Sequence, residues 1–276
     1  MWMGAIITLT TDFGLTDAYV AAMKGVILGI NPDARLVDIC HTIRPQNIPQ
    51  AAFVLSTAYQ FFPEKTVHLV VVDPGVGTGR RAVILRTPWA DFVAPDNGVL
   101  SYIIEEFATR PMESHTGQQQ EELGEGLEAI VITNPQFWLS PVSPTFHGRD
   151  IFAPVAARLS LGTAPSEFGE KTTSLTVLPS LHPHRAPDGS LVGHILHIDN
   201  FGNLITNIKS EDLPQPYDKI TIEIGNQTIH GLSRIYAEGD ELLALIGGSG
   251  YLEVSVRQDS ARDFLNVDVG NKVKIR

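Results

Sequence analysis

What most restricts the fold of this chain is a change in the period of its apolar residues. Over about the first 180 positions, short Val- and Ile-rich runs alternate with longer stretches whose apolar residues recur at helical spacing. Beyond a proline-rich break only the short runs continue. Residues 5–10, 36–40, 67–72, 82–86, 91–94 and 129–133 read as strands, bounded by Gly, Pro, Asn or Asp. Residues 17–30 place Val20, Met23 and Ile27 on one helical face and stop at Asn31-Pro32. Residues 48–62 stop at Pro63, and residues 99–107 and 150–161 complete the helices. Strands alternating with helices predict an α/β domain: a mostly parallel sheet with helices on both faces. Residues 109–128, with three consecutive glutamines and little apolar content, read as a solvated loop.

The break, residues 179–189, carries Pro179, Pro183, Pro187 and the turn Asp188-Gly189. After it, residues 191–199, 204–208, 219–224, 227–236, 242–246, 251–256 and 272–276 are strand-like, with no convincing helix among them. They predict a smaller all-β domain, a barrel or a sandwich, with the barrel-like form taken as the expectation. The expected division is 1–182 for the α/β domain and 190–276 for the β domain, which suits 276 residues.

Composition narrows the function classes. Thirty-one acidic against 20 basic residues leave a net charge of −11, which argues against a nucleic-acid binder, since that needs a basic face to displace phosphate counterions. The single cysteine, Cys40, has no internal disulfide partner and reads as a small buried filler. No apolar run reaches the ~18 residues of a membrane span, and no basic segment precedes the apolar residues of the N-terminus. The expectation is a cytoplasmic protein away from membranes.

Ligands of open α/β sheets bind beyond the carboxyl ends of the strands, and polar residues cluster after strands in three places. Residues 10–17 (Thr-Thr-Asp-Phe-Gly-Leu-Thr-Asp) set Asp12 and Asp17 between a strand and a helix, where carboxylates can accept from ligand hydroxyls. Thr16 or Asp17 also suits a helix cap. Residues 70–81 end a strand in Asp73, then place Gly75, Gly77 and Gly79 before Arg80 and Arg81. Glycines let a backbone approach a ligand closely, and the pattern is neither a Walker loop nor a dinucleotide fingerprint. Residues 143–150 put His147 before Gly148 at the entrance to an apolar helix, where it suits proton handling or packing. Arg149 and Asp150 read as partners of their neighbours. One acid, one arginine and one histidine from separate strand ends can surround a water: the arginine favours hydroxide, and the carboxylate or imidazole receives the proton.

These three segments, together with residues 93–98 (Val-Ala-Pro-Asp-Asn-Gly) and 198–207 (Ile-Asp-Asn-Phe-Gly-Asn-Leu-Ile-Thr-Asn), resemble the S-adenosylmethionine hydroxide adenosyltransferases, relatives of the fluorinase and chlorinase. The most specific strings are residues 71–77 (Val-Val-Asp-Pro-Gly-Val-Gly) and 144–150 (Pro-Thr-Phe-His-Gly-Arg-Asp). The resemblance implies hydrolysis of S-adenosylmethionine to adenosine and L-methionine. It implies a homotrimer with substrate bound between subunits, and no cofactor or metal. It puts the catalytic set on Asp73, Arg80 and His147, the arginine being the seventh residue after the acid. Asp12 falls on the ribose-binding carboxylate, with Asp17 beside that pocket and Asn97 among the binding positions. Asp199, Phe201 and Asn203 fall on positions holding the methionine amino group and the adenine. Ser249, Tyr251 and Glu253 lie on the strand that meets the methionine carboxylate. Residues 257–261, ending in Ala261, match the adenine-edge loop loosely, and Gly247-Gly248 departs from the Asn-Ser usual before Ser249.

Three other readings compete. A halide-using adenosyltransferase carries tyrosine where this chain has Asp73, and a carboxylate there repels a halide. A metal-dependent hydrolase would use Asp12, His41, Asp73 and His147, without supporting ligand spacing. A non-catalytic adenosine or S-adenosylmethionine binder would have no use for the acid–arginine–histidine set.

Overall fold

The computed structural model describes residues 4–108, 117–179, 182–238 and 241–276. The start of the chain, the first part of the expected loop (109–116) and residues 180–181 of the break lie outside them. Two compact units, Met1–Ser180 and Leu181–Arg276, divide the chain.

In the first unit the elements run β1 (Ile6–Thr11), α1 (Tyr19–Ile30), β2 (Arg35–Cys40), α2 (Ile48–Ala58), β3 (Thr66–Val71), β4 (Ala82–Arg86), β5 (Ala90–Pro95), α3 (Ser101–Glu106), β6 (Gln119–Glu122), β7 (Glu128–Ile132), α4 (Ala153–Ser160), β8 (Gly169–Thr172) and β9 (Ser174–Val177). The main sheet has the order β2-β1-β3-β5-β4-β7-β8. Pairing is parallel from β2 through β1 and β3 to β5, as the alternation of strands and helices requires. It turns antiparallel from β5 to β4, β7 and β8; β4 and β5 are joined by a short turn, whereas α3 and β6 lie between β5 and β7, and α4 lies between β7 and β8.

β3 is buried at every position, as a strand covered on both faces must be. Val67, Leu69 and Val71 join the core built with α1 and α4, with Met23 and Ile27 of α1 at its centre. His68 alternates to the opposite face, where Tyr59, just beyond α2, meets its ring edge-on. α2 starts on Asn47, whose side chain accepts from the Gln50 amide at 3.0 Å, with Pro49 in the first turn. It ends at Ala58 and continues as a 3-10 turn, Tyr59–Phe61. The helix expected from residue 150 opens as a π-helical turn, Gly148–Phe152, before α4.

Two expectations need correction. Residues 119–122 are not loop: β6 pairs antiparallel with β9 in a small sheet of its own. Its sequence, Gln-Gln-Glu-Glu, has no apolar alternation to betray a strand; backbone pairing with β9 makes it one. β8 and β9 likewise lay outside the runs read as strands.

The second unit contains β10 (His184–Arg185), β11 (Leu191–Ile198), β12 (Leu204–Lys209), β13 (Thr221–Ile224), β14 (Gln227–His230), β15 (Leu242–Ile246), β16 (Tyr251–Val256), α5 (Ala261–Leu265) and β17 (Lys272–Ile275). Its sheet is antiparallel, in the order β14-β13-β17-β11-β12-β16-β15, with β10 added to β11. The end strands β14 and β15 approach each other, so the sheet nearly closes, barrel-like. Its apolar side chains, among them Ile195, Leu204, Ile222, Leu252 and Val273, fill the interior. The domain is not free of helix: α5 is a short one, capped by the Ser260 hydroxyl.

Candidate active site

β3 ends at Val71, and the buried Val72 follows before Asp73 stands at the carboxyl end of the sheet, where the chain turns. Arg80, seven residues on, folds back over that turn. Its Nε donates to Asp73 Oδ1 at 3.0 Å and its Nη2 donates to Oδ2, a two-point clasp between side chains only 9% and 5% exposed. A charged pair taken out of water this far is held by geometry as well as by charge. The same Nη2 lies 3.4 Å from Nδ1 of His147, and the guanidinium carbon stands 5.1 Å over the Phe152 ring.

Two loops must meet for this to form. Gly77 has φ +76°, and a Cβ on it would lie 2.4 Å from the Pro144 carbonyl oxygen, three residues before His147. Gly77 is therefore the residue that allows the Asp73 turn to lie against the His147 segment; nothing stands within 4 Å of a Cβ on Gly79. On the far side of His147, Asp150 anchors its own loop. It accepts from Arg149 Nε at 2.6 Å and from the Ser143 amide at 2.8 Å. Burial raises the Asp150 pKa, but these bonds outweigh it and hold the carboxyl below its ordinary range.

Burial lowers the pKa of His147, and the neighbouring Arg80 charge lowers it further; Asp73 and Asp150 oppose both. The ring is neutral at pH 7. A guanidinium only donates, so the Nδ1 facing it carries no proton, and the proton of the neutral ring sits on Nε2. The site thus presents a carboxylate, a guanidinium and an imidazole N–H in one connected group.

Arg81, its neighbour in sequence, is committed elsewhere. Its guanidinium donates to Asp96 Oδ2 (2.7 Å), Thr172 Oγ1 (3.2 Å), Gln120 Oε1 (2.7 Å) and the Ser174 carbonyl (3.0 Å), tying β6, β8 and β9 together.

The other residues expected at the site of this unit fall in different settings. Asp12 follows β1, half-buried, and accepts the Gln46 amide at 2.7 Å through Oδ2. Phe13, in the same loop, packs edge-on against Phe146 with centroids 5.9 Å apart, and Tyr19 meets Phe146 at 5.2 Å. These rings join the Asp12 loop to the His147 segment. Asp17 is exposed, and it does not cap α1: the cap position is Ala18, with no side-chain bond. Asn97 is buried and donates to the Val72 carbonyl at 2.9 Å, while its oxygen accepts from the Val99 amide at 3.2 Å. Its amide group braces the strand end from which Asp73 projects. His41 is engaged by Thr11 Oγ1 and Asp38 Oδ1, each at 2.9 Å, apart from the Asp73 group. Among the described residues, no three His, Cys, Asp or Glu side chains gather as metal ligands, so Asp12, His41, Asp73 and His147 do not form a ligand set.

In the second unit, Asp199 shapes its own turn. Its Oδ1 accepts from the Phe201 and Asn203 amides and its Oδ2 from the Asn203 side chain, all at 2.9 Å. Phe201 at the tip is 76% exposed. Gly202, at φ +84°, lies so close to Ser260 that a Cβ would stand 2.3 Å from its hydroxyl. This close approach sets the Asp199 turn against the start of α5, where Ala261 is buried. Ser249 is exposed in the β15–β16 turn, Tyr251 is buried, and Glu253 is buried in β16. Glu253 Oε1 accepts from the Tyr236 hydroxyl at 2.8 Å and the Ser255 hydroxyl at 3.0 Å. Burial and that bond push the Tyr236 phenol up to about 12, with the Asp199 charge adding to the shift. Tyr236 therefore stands between two expected binding residues. Sequence reasoning missed it because it ends an unremarkable run after β14 with no motif around it.

Comparison with known proteins places these features in a wider group. Sequence models described as the N-terminal and C-terminal domains of SAM hydroxide adenosyltransferase match residues 7–169 and 193–274. A Methanocaldococcus jannaschii protein named (R)-S-adenosyl-L-methionine hydrolase is 34% identical, over 98% of this chain and 95% of its own. A Thermus thermophilus protein of the same name is 35% identical, over 96% and 97%. A Nocardia brasiliensis protein named fluorinase is 28% identical, over 98% and 96%. Among solved structures, a conserved Thermotoga maritima protein superposes with a TM-score of 0.84 at 35% identity, over 98% of this chain and 99% of its own.

Proposed function

The chain belongs to the SAM hydroxide adenosyltransferase family, and from that premise we propose that it hydrolyses S-adenosyl-L-methionine to adenosine and L-methionine. The observation that carries the reading is the joined group of Asp73, Arg80 and His147 at the carboxyl end of β3. A water oxygen attacks the ribose 5′-carbon as the bond from that carbon to sulfur breaks, its electron pair staying on sulfur as the neutral thioether of methionine. Asp73 receives the proton the water loses and passes it to solvent. Arg80 stabilises the hydroxide character that develops, and His147, holding its proton on Nε2, donates to the water oxygen and fixes its direction. Positioning of this kind replaces much of the entropic cost of the encounter, and proton transfer adds about 10²–10⁴ in rate. The sulfonium is already a good leaving group, so no cofactor or metal is required.

Around this centre, Asp12 holds the ribose hydroxyls, with Asp17 beside it. Asn97 braces the Asp73 strand end through Val72. Phe201 and Ala261 border the adenine, and Asp199 and Asn203 border the methionine amino group. Glu253 is an acceptor of two hydroxyl protons. It suits the methionine ammonium better than the carboxylate, which leaves Ser249 and the turn before Tyr251 for the carboxylate. The relatives' name specifies the R epimer at sulfur, and we extend that preference to this chain. We also propose a cytoplasmic homotrimer with substrate shared between neighbouring subunits; light scattering at three times 30.1 kDa tests the assembly. Among the described residues, no helix is long and apolar enough to cross a membrane.

The decisive experiment incubates purified protein with the separated S and R epimers in halide-free buffer and follows adenosine by chromatography. Adenosine formed faster from the R epimer supports the reading, and Arg80→Ala and His147→Ala should each lower turnover by about 10²-fold or more with little change in KM. Intact substrate after long incubation, or a 5′-halo nucleoside once chloride or fluoride is supplied, overturns it.

A further inference from the structure

At the opposite end of the parallel strands from Asp73, a cavity of about 300 Å³ opens where β3 and β5 begin. Tyr59, Phe62, Glu64, His68, Trp89 and Glu106 line it. From His68 to Asp73 is five residues of extended chain, or about 16 Å, so this is not the site described above.

His68 is the unusual member. It is 0% exposed, stacked on Phe92 at 5.0 Å, and its Nε2 has no hydrogen-bond partner. Its Nδ1 lies 2.8 Å from Thr8 Oγ1. Thr8 is also fully buried, and only by donating to Nδ1 does its hydroxyl proton find an acceptor there. That fixes the ring proton on Nε2, a buried donor left unmet, which is costly unless something accepts from it. With a pKa lowered by burial to about 4, the ring does not escape by ionising near neutral pH.

The remaining walls define what could accept. Two carboxyl groups, Glu64 and Glu106, and three aromatic rings surround the space, and no basic side chain lines it among the described residues. Glu106 is held in place by the Tyr59 hydroxyl, which donates to its Oε2. Trp89, 54% exposed, forms an outer wall. Aromatic faces with carboxylates beside them attract organic cations, and they repel the anionic acceptors that would otherwise satisfy an imidazole N–H.

We propose that this cavity is a second small-molecule site, taking a small organic ammonium that carries a hydroxyl or ether oxygen close to its charge. The ammonium lies against Trp89, Phe62 and the two carboxylates, and the oxygen accepts from His68 Nε2–H.

Choline is the test ligand. Its neutral isostere 3,3-dimethyl-1-butanol lacks only the charge, and tetramethylammonium lacks the hydroxyl arm. The full-length protein, ¹⁵N-labelled in its histidine and tryptophan rings, is titrated with each and observed by NMR. Choline should shift His68 Nε2 and the Trp89 indole saturably, with a dissociation constant below about 10 mM. The isostere should bind at least about tenfold more weakly, and tetramethylammonium should shift Trp89 but not His68. Glu64→Gln and Trp89→Ala, both at exposed positions, should each weaken choline by about threefold to tenfold. No saturable shift with choline, equal binding of the isostere, or unchanged affinity in both variants overturns the proposal. No substrate enters the test, so its outcome is independent of the hydrolase reading.

Discussion

Gly77 is the point at which two loops brought together from far apart in sequence depend on a missing side chain, and Gly77→Ala tests the site's construction. At φ +76° an alanine is in the left-handed region, which costs about 1–2 kcal/mol. Its Cβ would also lie 2.4 Å from the Pro144 carbonyl oxygen, and relief of such overpacking typically costs a further ~1–3 kcal/mol. The expected loss is about 2–5 kcal/mol, a large share of a typical ~5–15 kcal/mol domain stability. The turn and the Pro144 segment must part by more than about half an ångström to relieve the clash. Arg80 Nη2 is already 3.4 Å from His147 Nδ1, so that separation takes the pair beyond hydrogen-bond reach. Misplacement on this scale lowers turnover by about 10–100-fold. Gly79→Ala is the control: it adds a Cβ in open space at an ordinary φ and should change stability by no more than ~0.5 kcal/mol. Urea unfolding and adenosine release are measured on both variants. If Gly77→Ala unfolds at the same urea midpoint as Gly79→Ala and turns over within twofold of it, the account of how the two loops meet is wrong.

Arg81→Ala should separate structure from chemistry. It leaves the Asp96 carboxylate, 3% exposed, without its guanidinium and should cost about 1–3 kcal/mol, while turnover per folded molecule stays within about threefold; loss of turnover matching that of Arg80→Ala would refute the division of roles. Stability should also fall on the acid side. His68 has its pKa lowered from 6.5 to about 4 in the folded state, so its contribution is complete above pH 6.5 and is lost as pH falls toward 4. There the unfolded chain takes up the proton first, for a total of about 3 kcal/mol. Urea midpoints at pH 7 and pH 4.5 should diverge less in His68→Phe than in the parent, and equal divergence would discount the buried imidazole.

Much of this protein is written locally. The strand-and-helix alternation, the proline break and the strand-only remainder are patterns of side chains within a dozen residues, and burial of one face enforces them. The same is true of Asp73, because a polar residue after a buried strand is forced to the sheet's carboxyl end wherever that strand sits; Arg80 and His147 do not follow a strand directly, and the family resemblance, not the local pattern, picks them out. What sequence could not supply is partnership across distance. β6 is a strand only because β9 lies beside it. Arg80 and Arg81 are adjacent and chemically identical, yet one clasps Asp73 and the other ties together strands more than 90 residues on. Asn97 and Tyr236 owe their positions to a carbonyl and a carboxyl group that folding brings to them. Hydrogen bonds take whatever donor and acceptor the closed core brings within about 3 Å, and composition carries no trace of that choice before the core forms.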